Sequence, residues 1–113
     1  MSRFRDLLEK LPGRAPKNAK RSPKWRKTRD AFLKGKRCAV CGGKMSMTAH
    51  HKIPFSIAPE LELIEDNLLP LCEAERYGID CHLLVGHLGN FRRYNPTVVA
   101  DAIWWHERII GSR

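Results

Sequence analysis

A chain of 113 residues has room for one domain and a modest core, and chains this short often lean on a metal or another staple. Its longest run without Lys, Arg, Asp or Glu is eleven residues (81–91), too short to span a bilayer, and the basic N-terminus lacks the apolar stretch of a secretion signal, so a soluble cytoplasmic protein is expected. The formal net charge of +9 is lopsided: residues 1–37 hold 14 of the 21 Lys and Arg and 3 of the 12 acidic residues, whereas residues 38–113 carry a balance of −2.

That asymmetry suits a polyanion, because each cation that neutralises a phosphate releases counterions. A solubilising tail, or an arm for RNA or anionic lipid, would carry the same charge. Residues 1–22 are therefore read as a basic arm and linker and residues 23–113 as the folded domain. In the arm, residues 2–10 can form a helical turn, and Pro12, Gly13, Pro16 and Pro23 make residues 12–23 an extended or disordered linker. Arg14, Lys17, Lys20 and Arg21 are its candidate phosphate contacts.

Ser22-Pro23 has the form of a helix start, with Ser22 as N-cap and Pro23 in the first turn. Trp25, Arg29, Phe32 and Leu33 then share a face, and Gly35 ends the helix. Lys24, Arg26 and Lys27 add to the candidate DNA-binding set, although a solvated helix face would look the same. Residues 45–54 form a first strand, residues 59–66 a loop with a possible helical turn, and residues 67–72 a second strand whose Pro70 implies an edge or a bulge. Residues 81–89 form a helical segment. Asn95-Pro96-Thr97 opens a last helix with Val98, Ala102, Trp105 and Ile109 on its buried face; His106 is read as exposed and without a role.

Cys38-x2-Cys41, followed by Gly42 and Gly43, is half of a tetrahedral thiolate site. Cys72 and Cys81 complete it, eight residues apart, and no cysteine is left over; a histidine in place of one of them is the alternative. In a reducing compartment such pairs favour a structural Zn²⁺ over disulfides.

His50-His51, Asn67 and Cys81-His82 recur in that order. Phosphodiester hydrolysis needs a base near neutral pKa, a group to orient it and a cation for the leaving oxygen. Adjacent strand residues face opposite ways, which lets one histidine serve a metal and the other a water. An asparagine carbonyl is suited to fix the base's other ring nitrogen.

Trp25-x3-Arg29, Cys38-x2-Cys41-Gly42, His50-His51-x-Ile53-Pro54, Asp66-Asn67-Leu68-x2-Leu71-Cys72 and Cys81-His82 together resemble the HNH endonucleases over residues 25–87. Residues 81–96 also resemble phage-encoded members. The resemblance implies a small α+β fold, a ββα-metal core with a zinc knuckle and flanking helices. It implies hydrolysis of DNA with His51 as general base, Asn67 orienting it, and His50 and His82 as ligands of a catalytic ion. His50 stands where many members carry Asp, which suits Zn²⁺, Ni²⁺ or Mn²⁺ as well as Mg²⁺. His87 follows His82 by five residues, not four, and is either a third ligand or a polar helix residue. The competing class is a non-catalytic zinc module that binds nucleic acid, which would need the cysteines and the arm but not His51 with Asn67. An RNA-directed nuclease is the second rival; no aromatic stacking platform for single strands stands out, so duplex DNA is the expected substrate.

Overall fold

Ser22 anchors the first helix, but from two residues before the N-cap position, which Lys24 takes. Its hydroxyl accepts the Lys24 N–H (3.1 Å) and its carbonyl the Trp25 N–H (3.1 Å), so helix α1 runs Trp25–Leu33. Gly35, with φ of +75°, turns the chain out of it, and the Leu33 carbonyl accepts the Lys36 N–H. The computed structural model describes residues 20–74 and 79–111. The expected helical turn over residues 2–10 and most of the arm, with Arg14 and Lys17, lie outside the described residues.

Two antiparallel strands come next, β1 (Met47–His51) and β2 (Leu68–Cys72), paired from Met47 opposite Cys72 to His51 opposite Leu68. Each is shorter than its apolar pattern: Ser46 takes a left-handed φ just before β1, and Asn67 closes a 3-10 turn just before β2. Between the strands lie two such turns, Pro59–Leu61 and Glu65–Asn67. Pro70 does sit in a two-stranded ribbon, and its carbonyl accepts the Ala39 N–H of the cysteine knuckle (2.8 Å).

The alternation of side chains across this ribbon divides the core. Ala49, His51 and Leu68 share a face with α1, where Ala49 and Leu68 bury Phe32 with flanking cover from Trp25 and Leu33. His50 and Leu71 belong to the opposite face, where Leu71 joins the cysteines, Val40, Val85, Val98 and Ala102. The expected helix over residues 81–89 is instead a π-helical turn, His82–Gly86, running into Leu88 and Gly89 at positive φ.

Helix α2 (Val98–Ile110) starts on Asn95, whose Oδ1 accepts the Thr97 N–H (3.0 Å) while its amide donates to Val85 O (2.8 Å) and Asp101 (2.9 Å). Val98 and Ala102 are buried and Ile109 packs beside them, as expected, but Trp105 is 42 % exposed. The core-facing stripe runs through His106 instead, whose Nδ1 donates to Val40 O (3.1 Å), tying α2 to the knuckle. A polar residue on the seam hid the true face from hydrophobic periodicity. Among the described residues no helix is long and apolar enough to cross a membrane.

Candidate metal centres and active site

Three segments bring the cysteines together. Cys38 and Cys41 sit on a turn in which Cys38 N–H donates to Gly43 O (2.8 Å) and Gly42 N–H to Cys38 O (3.0 Å), with Gly42 at φ +75°, a conformation that suits glycine. Cys72 ends β2 and Cys81 opens the π turn. Ligand atoms of Cys38, Cys41, Cys72 and Cys81 lie within 4.8 Å of one another, and the Cys41 and Cys72 sulfurs are 3.6 Å apart. All four are free thiols. The hydrogen bond from Cys81 to Cys38, helped by backbone N–H groups of Cys41, Val40 and Cys72, pulls the Cys38 thiol down to about 4 against the effect of burial. That same bond, with burial, pushes Cys81 up. Four soft donors at this spacing could hold one tetrahedral Zn²⁺, and the wide Cys72-to-Cys81 spacing is accommodated.

A second cluster lies across β1. His50, His82 and His87 place ligand atoms within 4.8 Å of one another, their rings meeting edge to face. Five residues separate His82 from His87, and the wider π turn brings the two Nε2 atoms within 3.2 Å, which a four-residue repeat would not. Each ring is aimed from behind. His82 Nδ1 donates to Glu73 (3.1 Å) and His87 Nδ1 to Arg93 O (2.9 Å), leaving both Nε2 lone pairs pointing inward. Gly86 makes room for His50: a Cβ there would stand 3.1 Å from His50 Nδ1 and from Leu71 Cδ1. Burial, then the neighbouring imidazoles His82 and His87, push His50 down to about 3; burial also lowers His87. Converging imidazoles fit a borderline divalent cation.

His51 stays outside that cluster but lines the same cleft of about 240 Å³, which Arg21, Trp25 and Phe55 also line. Its ring packs on Trp25 (centroids 4.5 Å apart) and its Nε2 donates to Glu62 O (3.0 Å), so Nδ1 carries the lone pair. Burial is the main cause that lowers its pKa from the ordinary value.

Asn67 does not make the expected contact with His51. Its Oδ1 accepts Ile53 N–H (2.9 Å), and its amide donates to Ile53 O (3.1 Å) and Leu61 O (3.3 Å). The orienting acceptor is the Glu62 carbonyl, and Asn67 pins the loop that carries it. Backbone carbonyls such as those of Glu62 and Arg93 leave no mark in a sequence, so these partners could not be read there; Glu73, next to Cys72, offered only an unremarkable carboxylate.

Of the basic residues singled out, Arg21 reaches the cleft, stacked over Phe55 (5.2 Å) and Trp25 (5.9 Å) and facing the buried Glu62 carboxylate (3.8 Å). Lys20 and Lys24 are exposed, and Arg26 and Lys27 line a separate groove with Asp30 and Lys34.

Neither the curated proteins nor the solved structures contain a match to the chain. The family model described as HNH endonuclease matches residues 38–86, from the first knuckle cysteine to the glycine behind His50. Strand, pinned loop, strand and helical turn, with a four-cysteine cluster at one end, fill that span, and over it the chain is similar to the HNH endonuclease family, whose nucleases act on DNA with a divalent metal.

Proposed function

We propose that the chain is a metal-dependent endonuclease that hydrolyses DNA phosphodiester bonds with His51 as general base. The observation that carries this reading is one cleft holding two kinds of histidine: three imidazoles converging on a point, and a fourth held apart by a backbone carbonyl. Three ligands and a separate, neutral base are the parts that hydrolysis by a single bound cation requires.

His51 Nδ1 takes a proton from a water that attacks phosphorus in line with the departing 3′ oxygen. The Glu62 carbonyl holds the ring in the needed tautomer and steadies the imidazolium once it forms. Trp25 excludes water from one ring face. A divalent cation on His50, His82 and His87 (Mg²⁺, Mn²⁺, Ni²⁺ or Zn²⁺) would neutralise charge on the scissile phosphate and the leaving oxygen. Arg21 reaches the same phosphate backbone, and the rest of the basic arm, residues 1–22, grips flanking phosphates without reading sequence. A Zn²⁺ on the four cysteines is structural, and duplex DNA is the substrate.

Supercoiled plasmid incubated with each of the four cations tests this. Cleavage should require added metal, and His51→Ala should slow it by about 10²- to 10⁴-fold while DNA affinity is kept. A chain that binds DNA yet cuts under no metal would be a non-catalytic zinc module, and a His51→Ala variant as fast as the parent would dismiss the base.

A further inference from the structure

The cleft does not end at His87. A second groove of about 370 Å³ adjoins it, with Pro54 and His87 lining both. Its outer wall is Phe91, Arg92, Arg93 and Tyr94, all exposed; the rings of Phe91 and Tyr94 are 53 % and 40 % open to solvent. Neither guanidinium of Arg92 or Arg93 has a protein partner among the described residues. Cations and rings left open in this way along one short segment are the elements from which phosphate and nucleotide contacts are made.

This segment is built rather than loose. The left-handed Leu88 and Gly89 turn the chain back after the π turn, Asn90 Oδ1 accepts Arg92 N–H (2.9 Å), and Asn90 O accepts Arg93 N–H (2.8 Å). The Arg93 carbonyl then holds His87 Nδ1 (2.9 Å), while the Phe91 ring packs on His82 (5.4 Å) and His87 (5.1 Å). The loop is thus fixed to two of the three imidazoles, and its free cations stand at a set position beside them. Arg21 lines the cleft that holds the histidine cluster, and Arg92 and Arg93 line the groove that adjoins it at Pro54 and His87, so that a strand crossing the cluster meets positive charge from both.

We propose that residues 90–94 form a second nucleic-acid contact, in which Arg92 and Arg93 hold backbone phosphates flanking the bond to be cut and Phe91 and Tyr94 pack on the sugars between them. It rests on the nuclease reading, since the ligand is the strand lying across the cluster. It gives the cleft a grip independent of the N-terminal arm, and it couples the hold on substrate to the ring of His87.

The test uses the full zinc-bearing chain with His51→Ala, so that DNA is bound but not cut, a labelled duplex, and Mg²⁺ over a range of salt. Arg92→Gln with Arg93→Gln should weaken binding tenfold or more and flatten the slope of log affinity against log salt by about 1 for each phosphate no longer neutralised. Arg92→Lys with Arg93→Lys should restore the slope, and Phe91→Leu should weaken binding with the slope unchanged. Mn²⁺ affinity of the glutamine variant should equal the parent's, because the Arg93 carbonyl is kept; this control separates a weakened grip on DNA from a damaged centre. Unchanged affinity and slope in the glutamine variant would overturn the inference while leaving the nuclease reading intact. A parent that neither binds nor cuts DNA would overturn both.

Discussion

In the proposed reaction two histidines side by side in β1 divide the chemistry, because a strand sends them to opposite faces. His50 is buried among other imidazoles and held neutral down to about pH 3, whereas an unfolded imidazole takes up a proton near 6.5. The folded-state pKa is depressed, so this contribution to stability is complete above about pH 6.5 and is lost as pH falls from there toward 3. Thermal melts between pH 7 and 5 should therefore fall more steeply for the parent than for His50→Asn; parallel curves would show that His50 takes a proton without penalty. Glu73 offers a sharper test of the second cluster. It accepts from His82 Nδ1 and so sets which nitrogen faces inward. Glu73→Ala should reduce divalent-metal affinity about 10- to 100-fold by calorimetry, with the fold unchanged, because partners that orient a ligand carry that much of its binding.

At the scale of elements, the π turn decides whether His87 can join His82. Gly86 lies at its end, where it lets the backbone close on β1. Gly86→Ala would press a methyl on His50 and on the wholly buried Leu71, so something must shift, at a cost of about 1–3 kcal/mol. Because one of the two neighbours is a proposed ligand ring, metal affinity should fall along with the melting temperature, and a drop in only the latter would mean that Leu71 alone gives way. The elements show why the sequence was legible in some places and not in others. Cys38-x2-Cys41, His50-His51 and Cys81-His82 announce themselves because thiols and imidazoles are the side chains suited to metal and proton chemistry. Asn67 announced itself too, but its contact did not, since an amide satisfies loop backbone as readily as a ring. Spacing on an ideal helix left His87 open, and only the widened turn settles where it points. On α2 a counted hydrophobic stripe chose Trp105, whereas the seam runs through His106, which bonds a carbonyl of the knuckle.

At the scale of the whole molecule, the four-cysteine site joins the parts that the small core does not. Cys38 and Cys41 precede β1, Cys72 ends β2, Cys81 begins the π turn, and α2 leans on the same cluster through Val98, Ala102 and His106. Among the described residues, the core on the α1 side is three buried residues, Phe32, Ala49 and Leu68. Structural Zn²⁺ in comparable small sites contributes an apparent ~10–16 kcal/mol, which matches or exceeds the whole stability of an ordinary domain, about 5–15 kcal/mol. Without zinc the strands and the π turn would lose their common anchor, and the histidine cluster, which draws on both, would lose its geometry as well. Purified protein should thus hold zinc tightly, and Cys81→Ser or exhaustive chelation should abolish the cooperative melt and the helical circular dichroism. Mg²⁺ added afterwards should restore neither fold nor cleavage, while Zn²⁺ should restore the fold of the chelated parent but not of Cys81→Ser. A chelated chain that kept its cooperative melt would show that the apolar core suffices, and the cysteines would then need another explanation.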